Sequence, residues 1–257
     1  MKYPTPIVKI KSLVLTTGIA VTGIVASGAF APAQAFTIFF GEDTGANSGA
    51  SPIPNSIAAE ASFLSKLTGT GTETFEGFAN GDTASNINFP GVGTATISSS
   101  TGRVVTGANG AGRFPILGSS NYYEVGNGTF TINFATPAAA FGFYGTDIGD
   151  FNGQITLSLN DVVSSVLTVP NTIGAPNGSA LYYGLIAQTA GETFNQLTFG
   201  NTNVGTDFFG FDNLTVGTLS QVAPATAVPE PFTIIGTLVG GTAALRMRKK
   251  LKATTKI

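Results

Sequence analysis

Between residues 70 and 216 short segments carry apolar residues at every second position, and this period decides what the chain can fold into. Thr129-Phe130-Thr131-Ile132-Asn133-Phe134 and Gln154-Ile155-Thr156-Leu157-Ser158-Leu159-Asn160 alternate without a break. A strand puts successive side chains on opposite faces, so each segment has one apolar and one polar face. Residues 73–78, 93–99, 121–125, 139–144, 162–169, 180–186, 196–199 and 208–216 have similar strand character, and 37–40 reads as a short first strand. Turns fall between them at Asn80-Gly81-Asp82, Asn109-Gly110, Asn127-Gly128, Asn152-Gly153 and Asn177-Gly178. The expected fold is mainly β: an antiparallel β-sandwich, jelly-roll-like, with one solvated face per sheet.

One helix is expected in the body, at 56–67. Ile57, Ala61 and Leu64, with Phe63 and Leu67 nearby, fall on one side and predict the face that packs on a sheet edge; a partner-binding helix is the alternative. Asn55 or Ser56 is placed to cap it, and Gly69 to stop it. The chain has no cysteine, so burial rather than disulfides must hold the body together. It also has no histidine, which removes the commonest general base and zinc ligand. A Ser-His-Asp or Cys-His catalytic set is therefore excluded. Carboxylate pairs remain, so a glycosidase is an open alternative to the expected non-enzyme.

Charge separates the ends from the middle. Residues 36–227 hold thirteen acids but only Lys66, Arg103 and Arg113 as bases, a net charge of −10. Such a body repels phosphate backbones, so nucleic acid is not an expected partner. The N-terminus carries Lys2, Lys9 and Lys11, then an uncharged apolar stretch at 12–30, then Ala31-Pro32-Ala33-Gln34-Ala35. That order is a secretory signal peptide over 1–35 and implies the export machinery as a partner. Cleavage is expected after Ala35, with Ala33 and Ala35 as the small residues; cleavage after Ala33 and an uncleaved anchor are the alternatives.

The C-terminal residues 228–257 have three parts. Val228-Pro229-Glu230-Pro231 is extended, because each proline removes a donor and disfavours helix in the residue before it. Residues 232–245 are fourteen uncharged residues, short for a hydrocarbon core that takes about 20 helical residues. Snorkelling of the basic side chains that follow makes a membrane helix workable. Arg246, Arg248, Lys249, Lys250 and Lys252 place that end in the cytoplasm. Residues 217–227 are small, polar and proline-containing and read as a linker, which leaves 36–216 as the body.

Val228 to Pro231, the apolar run and the basic end, in that order, resemble the PEP-CTERM sorting signal of exported bacterial proteins. The resemblance implies an exosortase-like processing enzyme as partner, a precursor held in the inner membrane, and delivery to the cell surface or outside in cells that make exopolysaccharide or biofilm. Ala139-Ala140-Phe141-Gly142-Phe143-Tyr144 and Phe208-Phe209-Gly210-Phe211-Asp212-Asn213 are similar to strands of uncharacterised cyanobacterial β-sandwich ectodomains that carry this signal. The expected function is a non-catalytic envelope or extracellular-matrix protein. A carbohydrate-binding module is the alternative, with Tyr122, Tyr123, Tyr144, Tyr182 and Tyr183 as stacking faces.

The segment from Phe208 also resembles the closing strand of jelly-roll carbohydrate-binding modules. That likeness implies a structural calcium ion held by Asp212 and Glu76. Asp147 and Asp150 form an independent candidate pair on a loop. The alternative for Asp212 is that it caps or kinks its strand at Asn213.

Overall fold

The computed structural model describes residues 36–109, 112–116, 118–160, 166–203 and 207–224. Ala33, Ala35, the sorting motif and the basic end lie outside these residues. Among the described residues, thirteen strands form two antiparallel sheets. The seven-stranded sheet holds β1 (Thr37–Asp43), β2 (Gly71–Glu73), β5 (Arg103–Thr106), β6 (Asn121–Gly126), β8 (Ala140–Thr146), β11 (Ala180–Ile186) and β13 (Phe208–Gly217). Its order is β1-β11-β8-β13-β6-β5, with β2 also on β13. The six-stranded sheet holds β3 (Asn86–Phe89), β4 (Gly93–Ser98), β7 (Phe130–Ala138), β9 (Ile155–Leu159), β10 (Val166–Thr168) and β12 (Phe194–Asn201), in the order β10-β9-β12-β7-β4-β3.

The last eight strands carry the topology. β6 pairs with β13, β7 with β12, β8 with β11 and β9 with β10, so first meets last and the pairing runs inward to the middle. Two further pairings, β13 with β8 and β12 with β9, close each sheet. A long antiparallel ribbon rolled over itself gives this order, which is a jelly roll. Between the sheets lies a core dominated by phenylalanine. Phe130 stacks on Phe199 at 4.2 Å, and Phe211 meets both rings edge-on at 5.0 and 5.1 Å. Such geometries suit the charge distribution of aromatic rings.

The expectation of one solvated face per sheet holds for the six-stranded sheet only. There Thr131, Asn133, Thr156, Ser158 and Thr198 point outward, between buried Phe130, Ile132, Leu157 and Phe199. In the seven-stranded sheet every residue of β6, β8 and β11 is buried. Its outer face is covered by helix α1 (Pro54–Leu64) and by the β5–β6 loop, which makes a second apolar cluster of Phe39, Phe63, Phe114, Ile116, Tyr144 and Tyr182.

Helix α1 turns a different face to the sheet from the one its apolar residues predict. Ser56, Ala59 and Phe63 are buried, whereas Ile57 and Leu64 are 42 and 38% exposed. The sheet below dictates this. Gly184 leaves room for the Phe63 ring, whose nearest atom would stand 2.7 Å from a Cβ added there, and a Cβ on Gly142 would collide with Tyr182 Oη. Only a helix face with small residues and one ring seats on that floor. The helix begins at Pro54 after Ile53, without a side-chain cap from Asn55 or Ser56, and it ends at Leu64, before Gly69. Asp43 at the end of β1 does the capping. Its carboxylate accepts from the backbone N–H of Asn55 at 3.2 Å and of Ser56 at 2.9 Å, where the helix dipole favours negative charge.

Two other expectations change. Residues 73–78 are the end of β2 followed by a tight loop with Phe75 at φ 60°, where the Glu73 carboxylate accepts from Phe75 N at 2.7 Å. The expected linker starts later than residue 217. Leu219–Gln221 forms a 3-10 turn, Val222 bridges to Leu67, and Ala223 N donates to Lys66 O at 2.8 Å. No helix among the described residues is long and apolar enough to cross a membrane.

Candidate functional site

The densest polar chemistry lies under the β5–β6 loop, on the outer face of the seven-stranded sheet. Outward positions of the central strands there are Glu124 on β6, Asp212 on β13 and Asp147 just after β8, each 1% exposed. Buried charges of this kind must be paired and hydrogen-bonded. The loop supplies the partners. Arg113 donates through Nε to Glu124 Oε2 at 2.7 Å and through Nη1 to Asp147 Oδ2 at 3.0 Å. Arg103 donates to Glu124 Oε1 at 2.8 Å, and Asn109 to Glu124 Oε2 at 2.9 Å. Asp147 Oδ1 accepts from Gly178 N at 3.0 Å. The Arg113 guanidinium also sits 5.6 Å from the centre of the Phe208 ring. Burial lowers the affinity of Arg113 for its proton, but its bonds and charges with Glu124 and Asp147 outweigh this and hold its pKa above the ordinary value. Burial pushes the Asp147 carboxyl up.

Gly112 is required beside Arg113. It has φ +94°, and a Cβ there would run into Asn177 Oδ1 and Asp147 Oδ1.

Asp212 and Glu76 meet at the same loop. Asp212 Oδ2 accepts from Ile116 N at 2.9 Å and Oδ1 from Asn213 N at 2.7 Å. Glu76 Oε1 accepts from Ser120 N and Asn121 N, both at 2.7 Å. Burial pushes the Asp212 carboxyl up to about 7, against the lowering effect of those N–H donors. Asn213 takes φ 46° and the register of β13 against β8 shifts between Asp212 and Thr215, so the strand kinks where Asp212 turns to the loop. Asp212 thus accepts from two N–H groups and the Ser119 side chain, and Glu76 Oε1 from two N–H groups. This donor arrangement anchors the loop, whereas calcium takes six to eight oxygen ligands. Among the described residues, no three acidic side chains converge so as to hold a metal ion.

Asp147 and Asp150 do come together, and Asp207, just before β13, joins them. Burial, then the charges of Asp147 and Asp207, push Asp150 up to about 6, and its Oδ1 is buried without a hydrogen-bond partner. The five tyrosines expected as stacking faces are at most 2% exposed. Tyr144 Oη donates to Glu60 at 2.7 Å, and Tyr123 stacks on Phe75 inside the sandwich.

Arg113, Glu124 and Asp207 were not singled out by the sequence. Arg113 carried a signal, as one of three bases in an acidic body. Glu124 carried none, because an acid at an alternate strand position reads as solvent-facing.

No family model matches the chain, and no curated protein matches it. Among solved structures, the K2 cleaved adhesin domain of Lys-gingipain is similar over 58% of this chain and all of that one, at 14% identity and a TM-score of 0.40. The K1 cleaved adhesin domain from Porphyromonas gingivalis W83 matches 58% of this chain and 98% of its own, at 11% identity and a TM-score of 0.35. TmCBM61 in complex with beta-1,4-galactotriose matches 56 and 94%, at 12% identity and a TM-score of 0.28. At such values the likeness carries no residue-to-residue correspondence.

Proposed function

We propose that the chain is an exported, non-catalytic β-sandwich, tethered to the membrane by its C-terminal tail and then delivered to the surface as an envelope or matrix protein. One structural observation supports the tether. Both ends of the folded body, Thr37 and Pro224, line a single cavity of about 380 Å³, with Lys66 and Val222 between them. A body whose ends emerge together hangs from one point, and either end can be cut without unpicking the fold. The buried acids serve the loop, which suits a scaffold. Deleting 228–257 tests the reading: the shortened chain is expected to be exported and lost from the membrane fraction. A full-length chain found only in the cytoplasm would refute it.

A second reading has its own observation. The outward side chains of the six-stranded sheet are hydroxyls and amides at almost every position, among them Asn88, Thr96, Asn133, Ser158, Gln196 and Thr198, with neither charge nor aromatic ring. Such a face would hold a neutral polysaccharide by hydrogen bonds rather than by stacking. A glycan array probed with the full chain is expected to give signals restricted to uncharged polymers, lost on Thr131→Lys with Thr198→Lys; an array at background removes this reading.

A further inference from the structure

A sheet edge offers unpaired backbone groups to other chains, and folded proteins guard against this. Here β5 is covered by the turn at 80–82. Gly81 N donates to Val104 O at 2.8 Å, Val104 N to Asp82 O at 2.7 Å, and Thr106 N to Asn80 Oδ1 at 3.1 Å. On β3 the Glu73 carboxylate accepts from Asn88 N at 3.3 Å. Among the described residues β10 has three, a short edge. β1 differs along its length. It pairs with β11 on one side only. Toward Asp43 the helix closes its other side, since Asn55 Nδ2 donates to Glu42 O at 3.0 Å. Toward Thr37 that side is open, and Ile38 is 41% exposed. The open edge and the flank of α1 form a groove of about 610 Å³, with Ala58 and Ser62 as its far wall.

The open stretch is its own complement. Phe36 and Phe40 pack against the core between the sheets, and Ile38 shares their face by alternation, while Phe39 turns the other way, to Phe63 of α1. The inward row at 36, 38 and 40 is therefore Phe, Ile, Phe, the same in either direction. An antiparallel strand with this row, turned about a two-fold axis at Ile38, sets Ile38 against its own copy and each Phe36 against the other chain's Phe40. Opposed apolar side chains of this kind stabilise a strand pair. No charge lies in 36–40, and the antiparallel sense keeps Glu42 and Asp43 of the two copies at opposite ends. It also brings Lys66, which shares a cavity with Thr37, to the acidic end of the other copy. The helices fit the same arrangement. Phe63 meets Phe39 on β1 at 5.7 Å and Tyr182 on β11 at 5.9 Å, so α1 lies over that pair of strands. Joining two β1 edges then sets the two α1 helices about two strand spacings, or about 10 Å, apart, which is within the range of packed helices. Helices that close admit small side chains between them, and Ala58 and Ser62 stand there, both exposed.

We infer that a second copy of this chain occupies the groove, with β1 paired antiparallel to β1 across a two-fold axis at Ile38, so that the two seven-stranded sheets join edge to edge. Strand addition of this kind gains affinity from main-chain hydrogen bonds and specificity from alternate side chains. The interface is isologous, so it closes at two chains and leaves no β1 edge from which a fibre could grow. It covers Ile38 and gives the unguarded stretch of β1 its partner. The inference concerns the folded body and does not depend on export or processing.

The absence of cysteine makes the test direct. Directly opposite residues of antiparallel strands have Cα atoms about 4.5–5.5 Å apart, a separation that a disulfide spans. In the full chain in detergent, Ile38→Cys alone is expected to link two chains under mild oxidation. Its yield should exceed that of Val166→Cys by about ten-fold, although Val166, on β10 in the other sheet, is the more exposed at 47%. Equal yields overturn the inference. Analytical ultracentrifugation gives an independent readout. The parent chain is expected to sediment as a dimer. Ile38→Lys sets two like charges opposite each other and should weaken the dimer by about ten-fold or more. Ala58→Arg, on the exposed flank of the helix, should do the same without touching the sheet. A monomeric parent chain overturns the inference, and so does a dimer that either folded variant leaves unchanged, since its contact would then lie elsewhere in the chain.

Discussion

The outer faces of the two sheets belong to the same fold but follow different rules. One is a lattice of Thr, Ser, Asn and Gln open to water; the other is a floor of Gly, Ala and Tyr roofed by a helix and a loop. On the open face each side chain is solvated with or without its neighbour, and Thr131 and Thr198 hydrogen-bond at 3.0 Å beside water that could replace either. On the roofed face removing one partner leaves another stranded. The difference teaches where this molecule is brittle.

The largest effect is expected where the roof meets the floor. Phe63→Ala empties the space between α1, Gly184 and Tyr182 and should cost about 3–5 kcal/mol in urea unfolding. Arg113→Met comes next. It keeps the bulk but leaves buried Asp147 without its cation and Glu124 with Arg103 and Asn109 only, and a loss of about 3–5 kcal/mol is expected at neutral pH. The loss should shrink in acid as the Asp147 carboxyl, held up by burial, takes up its proton.

Asp212→Asn sharpens the comparison through pH. The folded carboxyl binds its proton more tightly than the unfolded one, so the native state holds the extra proton between the two pKa values. The Asp212 contribution is therefore fully favourable below about pH 4 and is lost as pH rises toward about 7. The amide variant should lack that slope. It should also lose about 1–3 kcal/mol at pH 5, because its NH₂ cannot accept from both Ile116 and Asn213. Unchanged pH dependence of melting would show that the carboxyl is not held as described. The smallest effect belongs to the open face, where Thr198→Ala should stay within about 0.5 kcal/mol. Melting in calcium and then in a chelator should give identical midpoints if Asp212 and Glu76 serve the loop.

The same contrast explains what could be read in advance. β7 and β9 announce themselves because solvent on one side imposes alternation. β11 was legible as a strand from its length and composition, yet Ala-Leu-Tyr-Tyr-Gly-Leu-Ile gives no sign that both its faces are covered. β3 and β5, four residues each, were missed. The helix face was misread because Ile57 and Leu64 are more apolar than Ser56 and Ala59, while the glycines that select the smaller residues lie about eighty and more positions away. Asp212 and Glu76 both reach the β5–β6 loop, and the N–H groups that meet them come from a segment with no pattern of its own. Asp150 and Asp207 are far apart in the chain, and only the fold brings their charges together.

β13 is an interior strand, bonded to β8 on one side and to β6 and β2 on the other. The C-terminal end of the body leaves from this strand through a single 3-10 turn. A pull on that end therefore reaches a strand gripped along both edges, where many hydrogen bonds must slide together before any one is free. A pull on the other end meets β1, held along one edge, which can open bond by bond. Under tension the molecule should thus be stiff when hung from its C-terminus and soft when hung from its N-terminus.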